Sequence, residues 1–118
     1  MSDVLSRFGE ILISDVRDRT IRSYDMRING KMKDESSQKL YSEVEQLDIT
    51  QRQLIERIVP QIVDLSIHNM LCMLEEHSNI DMQIEGESIS EISDGLSGEL
   101  YTEDGWIQRF SNQRYEEI

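Results

Sequence analysis

TQRQLIERIVPQIVDLSIHNMLCMLEEH, residues 50–77, sets the architecture of this chain. Thr50 followed by Gln53 is a capping-box pattern, in which two side chains satisfy free amide hydrogens at a helix N-terminus. The spacing predicts a helix running to about His77. At 100° per residue, its apolar positions from Leu54, Ile55, Ile58 and Val59 through Ile62, Val63, Leu65 and Ile67 to Met70, Leu71, Met73 and Leu74 cover well over half the circumference. Such breadth predicts a central helix contacted on several sides. Pro60 lies inside it, removing a backbone donor and crowding the preceding turn, which predicts a kink.

On the same helix Arg57, Asp64, His68 and Glu75 fall within about 40° of one another and form a narrow polar stripe. A carboxylate and an imidazole at i, i+4, here Asp64 and His68, can share a metal or act as an acid–base pair. Metal binding needs further ligands with their own spacing, and no HExxH, paired cysteines or second histidine at matching spacing accompanies them. The stripe therefore reads as a seam of salt bridges and hydrogen bonds, structural or at an interface. His77 reads as a cation near the negative end of the helix dipole.

Toward the N-terminus, Val4, Leu5, Phe8, Ile11, Leu12 and Val16 recur at helical spacing and predict a first helix over about residues 3–26. Ser2 or Asp3 caps it, and Asn29-Gly30 marks the turn beyond its end. Halfway along, the face turns charged: Asp15, Arg19 and Arg22 point the same way as Phe8 and Leu12. Asp15 with Arg19 and Asp18 with Arg22 are i, i+4 pairs suited to mutual neutralisation at the edge of the core. After a polar loop at 31–35, Ser36 or Ser37 opens a second, shorter helix to about Leu47, with Leu40, Tyr41, Val44 and Leu47 inward.

Beyond residue 78 the pattern changes. Ile80, Met82 and Gln83-Ile84-Glu85 alternate as a short strand ended by Gly86, and Ile89 with Ile92 fits another. Residues 94–111, DGLSGELYTEDGWIQRFS, hold three of the six glycines and the only tryptophan. Either an Asp104-Gly105 turn joins a hairpin, or Leu96/Leu100 and Trp106/Phe110 are i, i+4 pairs on two short helical turns; the helical reading is preferred. The expected fold is one mainly α domain over residues 1–118. It has three principal helices, the third long and central, and a short irregular or β-containing C-terminal cap.

Charge bounds the function. Twenty-four acids against twelve bases give −12, and residues 79–118 hold ten acids and two bases, hence −8. Such a field repels nucleic acid and anionic lipid and steers cationic surfaces toward it. No apolar run approaches the roughly 20 residues of a membrane span. The N-terminus does not read as a secretion signal, and the lone Cys72 has no internal disulfide partner. A cytoplasmic protein is expected. Cys72 has no histidine placed in sequence to activate it, and neither a GxSxG elbow nor a phosphate-binding glycine loop occurs, so neither enzymatic activity nor a cofactor is expected. Tryptophan anchors interfaces as well as cores. Trp106 ringed by Glu85, Glu87, Glu91, Asp94, Glu99, Glu103 and Asp104 is thus the candidate contact for a basic protein, with Trp106 itself read first as a clasp folding the tail onto the long helix.

The short acidic chain, the helical front and the ending DGLxGELxxxDGWIxxFS over residues 94–111 resemble small bacterial proteins of unassigned role. In size, charge and design the chain also resembles the immunity proteins that accompany toxins of colicin or contact-dependent-inhibition type. That resemblance implies a cytoplasmic protein that binds a cognate toxin domain, often a basic nuclease, and blocks its active site. No binding residue is carried over by position. Two other classes stay open. One is a self-associating structural or regulatory protein, a homodimer joined through the long helix's polar stripe or the charged end of the first helix. The other is a metal-dependent enzyme in which Asp64 and His68 share a metal with residues of other helices.

Overall fold

The computed structural model describes residues 3–117. A continuous helical path runs through α1 (Val4–Leu12), a π-helical segment (Ile13–Asp18) and α2 (Arg19–Ile28). The Asp3 carboxylate caps it by accepting from the Ser6 amide at 2.7 Å, a bond that also holds the Asp3 carboxyl below its ordinary pKa. The π-helical turn is wider than an α-turn and advances the helical face. Ile13, Arg17 and Asp18 consequently point inward, whereas Ile11, Val16, Asp15, Arg19 and Arg22 face water. A uniform 3.6-residue period places the second group inward; the wider turn overturns that expectation for Asp15, Val16, Arg19 and Arg22, while Ile11 is exposed on α1 ahead of the turn. Among the described residues Asp15–Arg19 and Asp18–Arg22 form no ion pairs; Asp18 pairs with Arg17.

The second helical unit, α3 (Glu35–Glu45), starts at Asp34, which accepts from the Ser37 amide, and half-buries Leu40, Tyr41 and Val44 as the stripe predicts. The long helix α4 (Ile49–Glu76) is capped by Asp48, two residues before the expected cap Thr50. Asp48 and Gln51 make the reciprocal box, with Gln51 N–H to Asp48 Oδ1 at 2.8 Å and Asp48 N–H to Gln51 Oε1 at 3.1 Å. Both Asp48-x-x-Gln51 and Thr50-x-x-Gln53 fit the pattern, and the aspartate adds a negative charge at the positive end of the helix dipole. The helix runs unbroken through Pro60, whose ring is buried.

Around the C-terminal half of α4 lies the core. Phe8, Leu12 and Ile13 meet Ile67, Leu71 and Leu74, and the C-terminal cap closes over them with Ile89, Leu96, Leu100, Trp106 and Ile107. The cap starts with a two-residue hairpin, β1 (Gln83–Ile84) and β2 (Glu87–Ser88), in register Gln83↔Ser88 and Ile84↔Glu87. Its turn takes positive φ at both Glu85 (53°) and Gly86 (83°), the geometry that matches strand twist in a two-residue hairpin. Ile89–Ile92 is a helical turn, α5, and not the second strand expected from its isoleucines. Their i, i+3 spacing fits one turn of helix, and Ile89 is driven fully into the core. Residues 94–111 take the helical alternative: a 3₁₀ turn at Leu96–Gly98 and α6 (Trp106–Phe110), with no hairpin at Asp104-Gly105. No helix among the described residues is long and apolar enough to cross a membrane.

Trp106 fastens the cap to α1. Its ring stands edge-on to Phe8 at a centroid distance of 5.7 Å and covers Gly9 so closely that an added Cβ would come within 2.5 Å of the indole. Gly9→Ala is therefore expected to lower the unfolding free energy by roughly 1–3 kcal/mol through overpacking, and to red-shift the emission of the single tryptophan. Gly98→Ala, at a position with open space around it, is the control and should be close to neutral. Urea titration followed by tryptophan fluorescence measures both effects; an unchanged Gly9→Ala curve would refute the seating of Trp106 on Gly9.

Candidate functional site

Three features of the molecule bear on function: a buried charged centre, an acidic cap and an apolar groove. The buried centre is built on Arg17, which the π-helical segment turns inward toward α4. Its side chain is inaccessible to solvent, and all five guanidinium hydrogens find acceptors. Nε and Nη2 donate to Asp64 Oδ1 and Oδ2 at 2.6 and 3.2 Å. Nη1 donates to Asp18 Oδ1 at 3.1 Å and Ser111 Oγ at 2.7 Å, and Nη2 also reaches the Arg114 carbonyl at 2.9 Å. Asp18 in turn accepts from the Ser111 hydroxyl at 2.8 Å and the Asn112 amide at 2.7 Å. Arg114 then makes a two-pronged pair with Asp25 at 2.7 and 3.0 Å and donates to the Glu56 carbonyl.

Burial pushes the Asp64 carboxyl above its ordinary pKa, with the hydrogen bonds and charge of Arg17 opposing the shift. The Tyr101 hydroxyl donates to the Asp64 carbonyl at 3.2 Å. Burial, followed by the nearby Asp64 charge, pushes Tyr101 up to about 12, so it remains a donor across the neutral range.

Each member of the polar stripe on α4 meets a group from elsewhere in the chain. The four are spread along the helix, with His68 and Glu75 sharing Ser97 and Arg57 and Asp64 meeting separate partners. Arg57 pairs with Glu116 at 3.2 Å, Asp64 with Arg17, His68 Nδ1 lies 3.0 Å from the Ser97 carbonyl, and Glu75 accepts from the Ser97 amide at 2.9 Å. Hydrogen bonding from Ser97 holds the Glu75 carboxyl below its ordinary value. Of the charged run in the first helical path, Arg17 and Asp18 are engaged with Asp64 and the tail, whereas Asp15, Arg19 and Arg22 face water. The helix does supply what the linear sequence leaves unseen: His68 Nε2 lies 3.5 Å from Cys72 Sγ, one turn away. With Nδ1–H donated to the Ser97 carbonyl, Nε2 is left to accept from the thiol. No group of three or more His, Cys, Asp and Glu side chains among the described residues is placed to hold a metal ion.

The acidic set divides. Glu85 is bound by Arg7, and Glu99 accepts from the Ser93 hydroxyl at 2.9 Å. Glu87, Glu91, Asp94, Glu103 and Asp104 are exposed, and none of them is in an ion pair among the described residues. Trp106, 1% exposed, belongs to the core and leaves the contact set.

Sequence reasoning missed the groove. It opens between α2, α3 and the N-terminal half of α4 with a volume of about 470 Å³, lined by Tyr24, Leu40, Val44, Ile55, Val59 and Ile62 among others. The signal was present in the apolar breadth of α4, which exceeds the flank that the fold buries. Comparison with protein-family profiles, curated proteins and solved structures gives no match to this chain.

Removing the Arg17 charge tests the buried centre. Arg17→Met leaves Asp64 buried without its cation and is expected to lower stability by roughly 3–5 kcal/mol at neutral pH. An Asp64 carboxyl with a raised pKa binds its proton more readily folded than unfolded, so stability increases as pH falls through the folded-state value. Removing Arg17 also removes the hydrogen bonds and charge that oppose this shift, so the Asp64 carboxyl rises further in the variant than in wild type and the deficit should shrink as pH falls below neutral, as measured by parallel urea titrations. A deficit constant with pH would contradict a buried, ionised Asp64.

Proposed function

We propose that this chain is a non-enzymatic binding protein whose acidic cap inhibits a cationic protein partner, and that toxin immunity is the most concrete form of that role. One observation carries the proposal: Glu87, Glu91, Asp94, Glu103 and Asp104 stand exposed, with no ion pair among the described residues, on a cap fastened from beneath by Leu96, Leu100, Trp106 and Ile107. Carboxylates on a backbone already fixed lose less freedom on binding than the same groups on a loose tail. They also sum into a field that captures a basic surface from a distance. In the immunity form, the cap occupies the substrate groove of a basic toxin domain in the cytoplasm, so that the toxin's own cations are neutralised by protein in place of its substrate.

Where the gene neighbourhood encodes a basic toxin domain, stopped-flow association with that domain tests the proposal. The association rate constant is expected to fall roughly tenfold or more from low to physiological salt. A Glu87→Gln/Glu91→Gln/Asp94→Asn variant should associate several-fold more slowly at low salt and unfold at the same urea concentration as wild type. An association rate indifferent to both salt and these substitutions would contradict the proposal.

A further inference from the structure

Core and apolar surface do not coincide in this molecule. The core gathers around the C-terminal half of α4. Its N-terminal half leaves Leu54, Ile58, Ile62 and Leu65 at 47%, 37%, 60% and 46% exposure. Spaced i, i+4, i+8 and i+11, these four form a ridge along one side of the helix. The ridge forms one rim of the groove. Residues of α2 form its floor, Leu40 and Val44 of α3 one wall, and Ile55 and Val59 of α4, with Ile58 and Ile62 of the ridge, the other. Although α3 packs on α2, it scarcely touches α4, so the slot between these two walls stays open. An apolar surface of this kind on so highly charged a chain marks a place of association.

We infer that a second copy of this chain covers it, packed groove to groove about a two-fold axis. The first argument is shape. A two-fold interface uses the same patch on both subunits and must be complementary to itself. The N-terminal half of α4 meets that condition, because it carries a ridge and the wall of a slot side by side, and each ridge can enter the slot of the other copy.

Charge supplies the second argument. Residues 17–66, which contain α2, α3 and the ridge, hold nine bases and nine acids and so carry no net charge; the rest of the chain holds three bases and fifteen acids, hence −12. The groove end is thus where two copies of this anionic chain meet with least repulsion. At about 1.5 Å per residue, α4 alone is about 42 Å long in a molecule 48 Å in its longest dimension. Pairing at its N-terminal half sends the two acidic caps to opposite poles, where each keeps its surface for another partner. The dimer does not depend on what the cap binds.

Sedimentation equilibrium of the full chain over a range of micromolar concentrations decides the matter. Wild type is expected to be a dimer whose affinity is unchanged or strengthened by added salt, opposite to the behaviour of a charge-steered complex. Ile58→Glu and Ile62→Glu, both at exposed positions, should each weaken dimerisation by roughly 100-fold while retaining the helical circular-dichroism signal. Glu91→Gln on the cap should leave it unaltered. Wild type that stays monomeric at the highest concentration would overturn the inference in favour of a foreign occupant, and that result needs no variant. A dimer indifferent to both substitutions would overturn it equally, by placing the interface elsewhere.

Discussion

Burying Arg17 is the constraint on which the rest of the structure depends. An unpaired guanidinium in the interior costs several kcal/mol, so its burial is tolerable only where every donor is met and an opposite charge lies in contact. The π-helical segment makes this possible by turning Arg17 and Asp18 inward together with Ile13. Asp64, on the buried flank of α4, takes two of the five hydrogens, and Asp18, Ser111 and the Arg114 carbonyl take the others. One side chain thereby fixes the first helical path to the long helix and holds residues 111–114, which have no regular structure of their own. Directional polar bonds specify the path of this tail more narrowly than apolar burial alone.

Once that tie is made, the chain divides along α4. On one side of it the C-terminal half of the helix receives α1 and the cap, and the apolar residues close into a core with Trp106 against Phe8 and Gly9. On the other, α2 and α3 cover only part of the N-terminal half, and isoleucines and leucines remain in water. Charge follows the same division: residues 17–66 are balanced, and the net −12 belongs to the remainder. A charged cap and a neutral apolar groove at opposite ends suit two different kinds of association, one steered by charge and one driven by burial.

Much of this was legible in the sequence because it depends on local periodicity. The helices, the strand at Gln83-Ile84 and the helical form of residues 94–111 all follow from spacing along the chain. What was hidden has a physical reason in each case. The wider π turn breaks the 3.6-residue period, so a uniform period turns Asp15, Arg19 and Arg22 toward the inner face, pairs Asp18 with Arg22 at the edge of the core, and gives no sign that Arg17 is buried. Two overlapping capping boxes competed at the start of α4, and the charged one prevailed. Ile89 and Ile92 fit a strand or a single helical turn, and only contact with the core selects between them. The groove depends on how far α3 stands from α4, a distance that neither helix encodes in its own pattern.

The most direct test of the buried centre is a double-mutant cycle on Arg17 and Asp64, comparing Arg17→Met, Asp64→Leu and the double variant by urea unfolding at pH 7. Each single variant leaves one buried charge without its partner, whereas the double variant replaces the pair with apolar side chains. The double variant is expected to regain most of the stability lost by Arg17→Met, with a coupling of about 2 kcal/mol or more. Additive losses, with no coupling between the two positions, would contradict the central role of the Arg17–Asp64 pair.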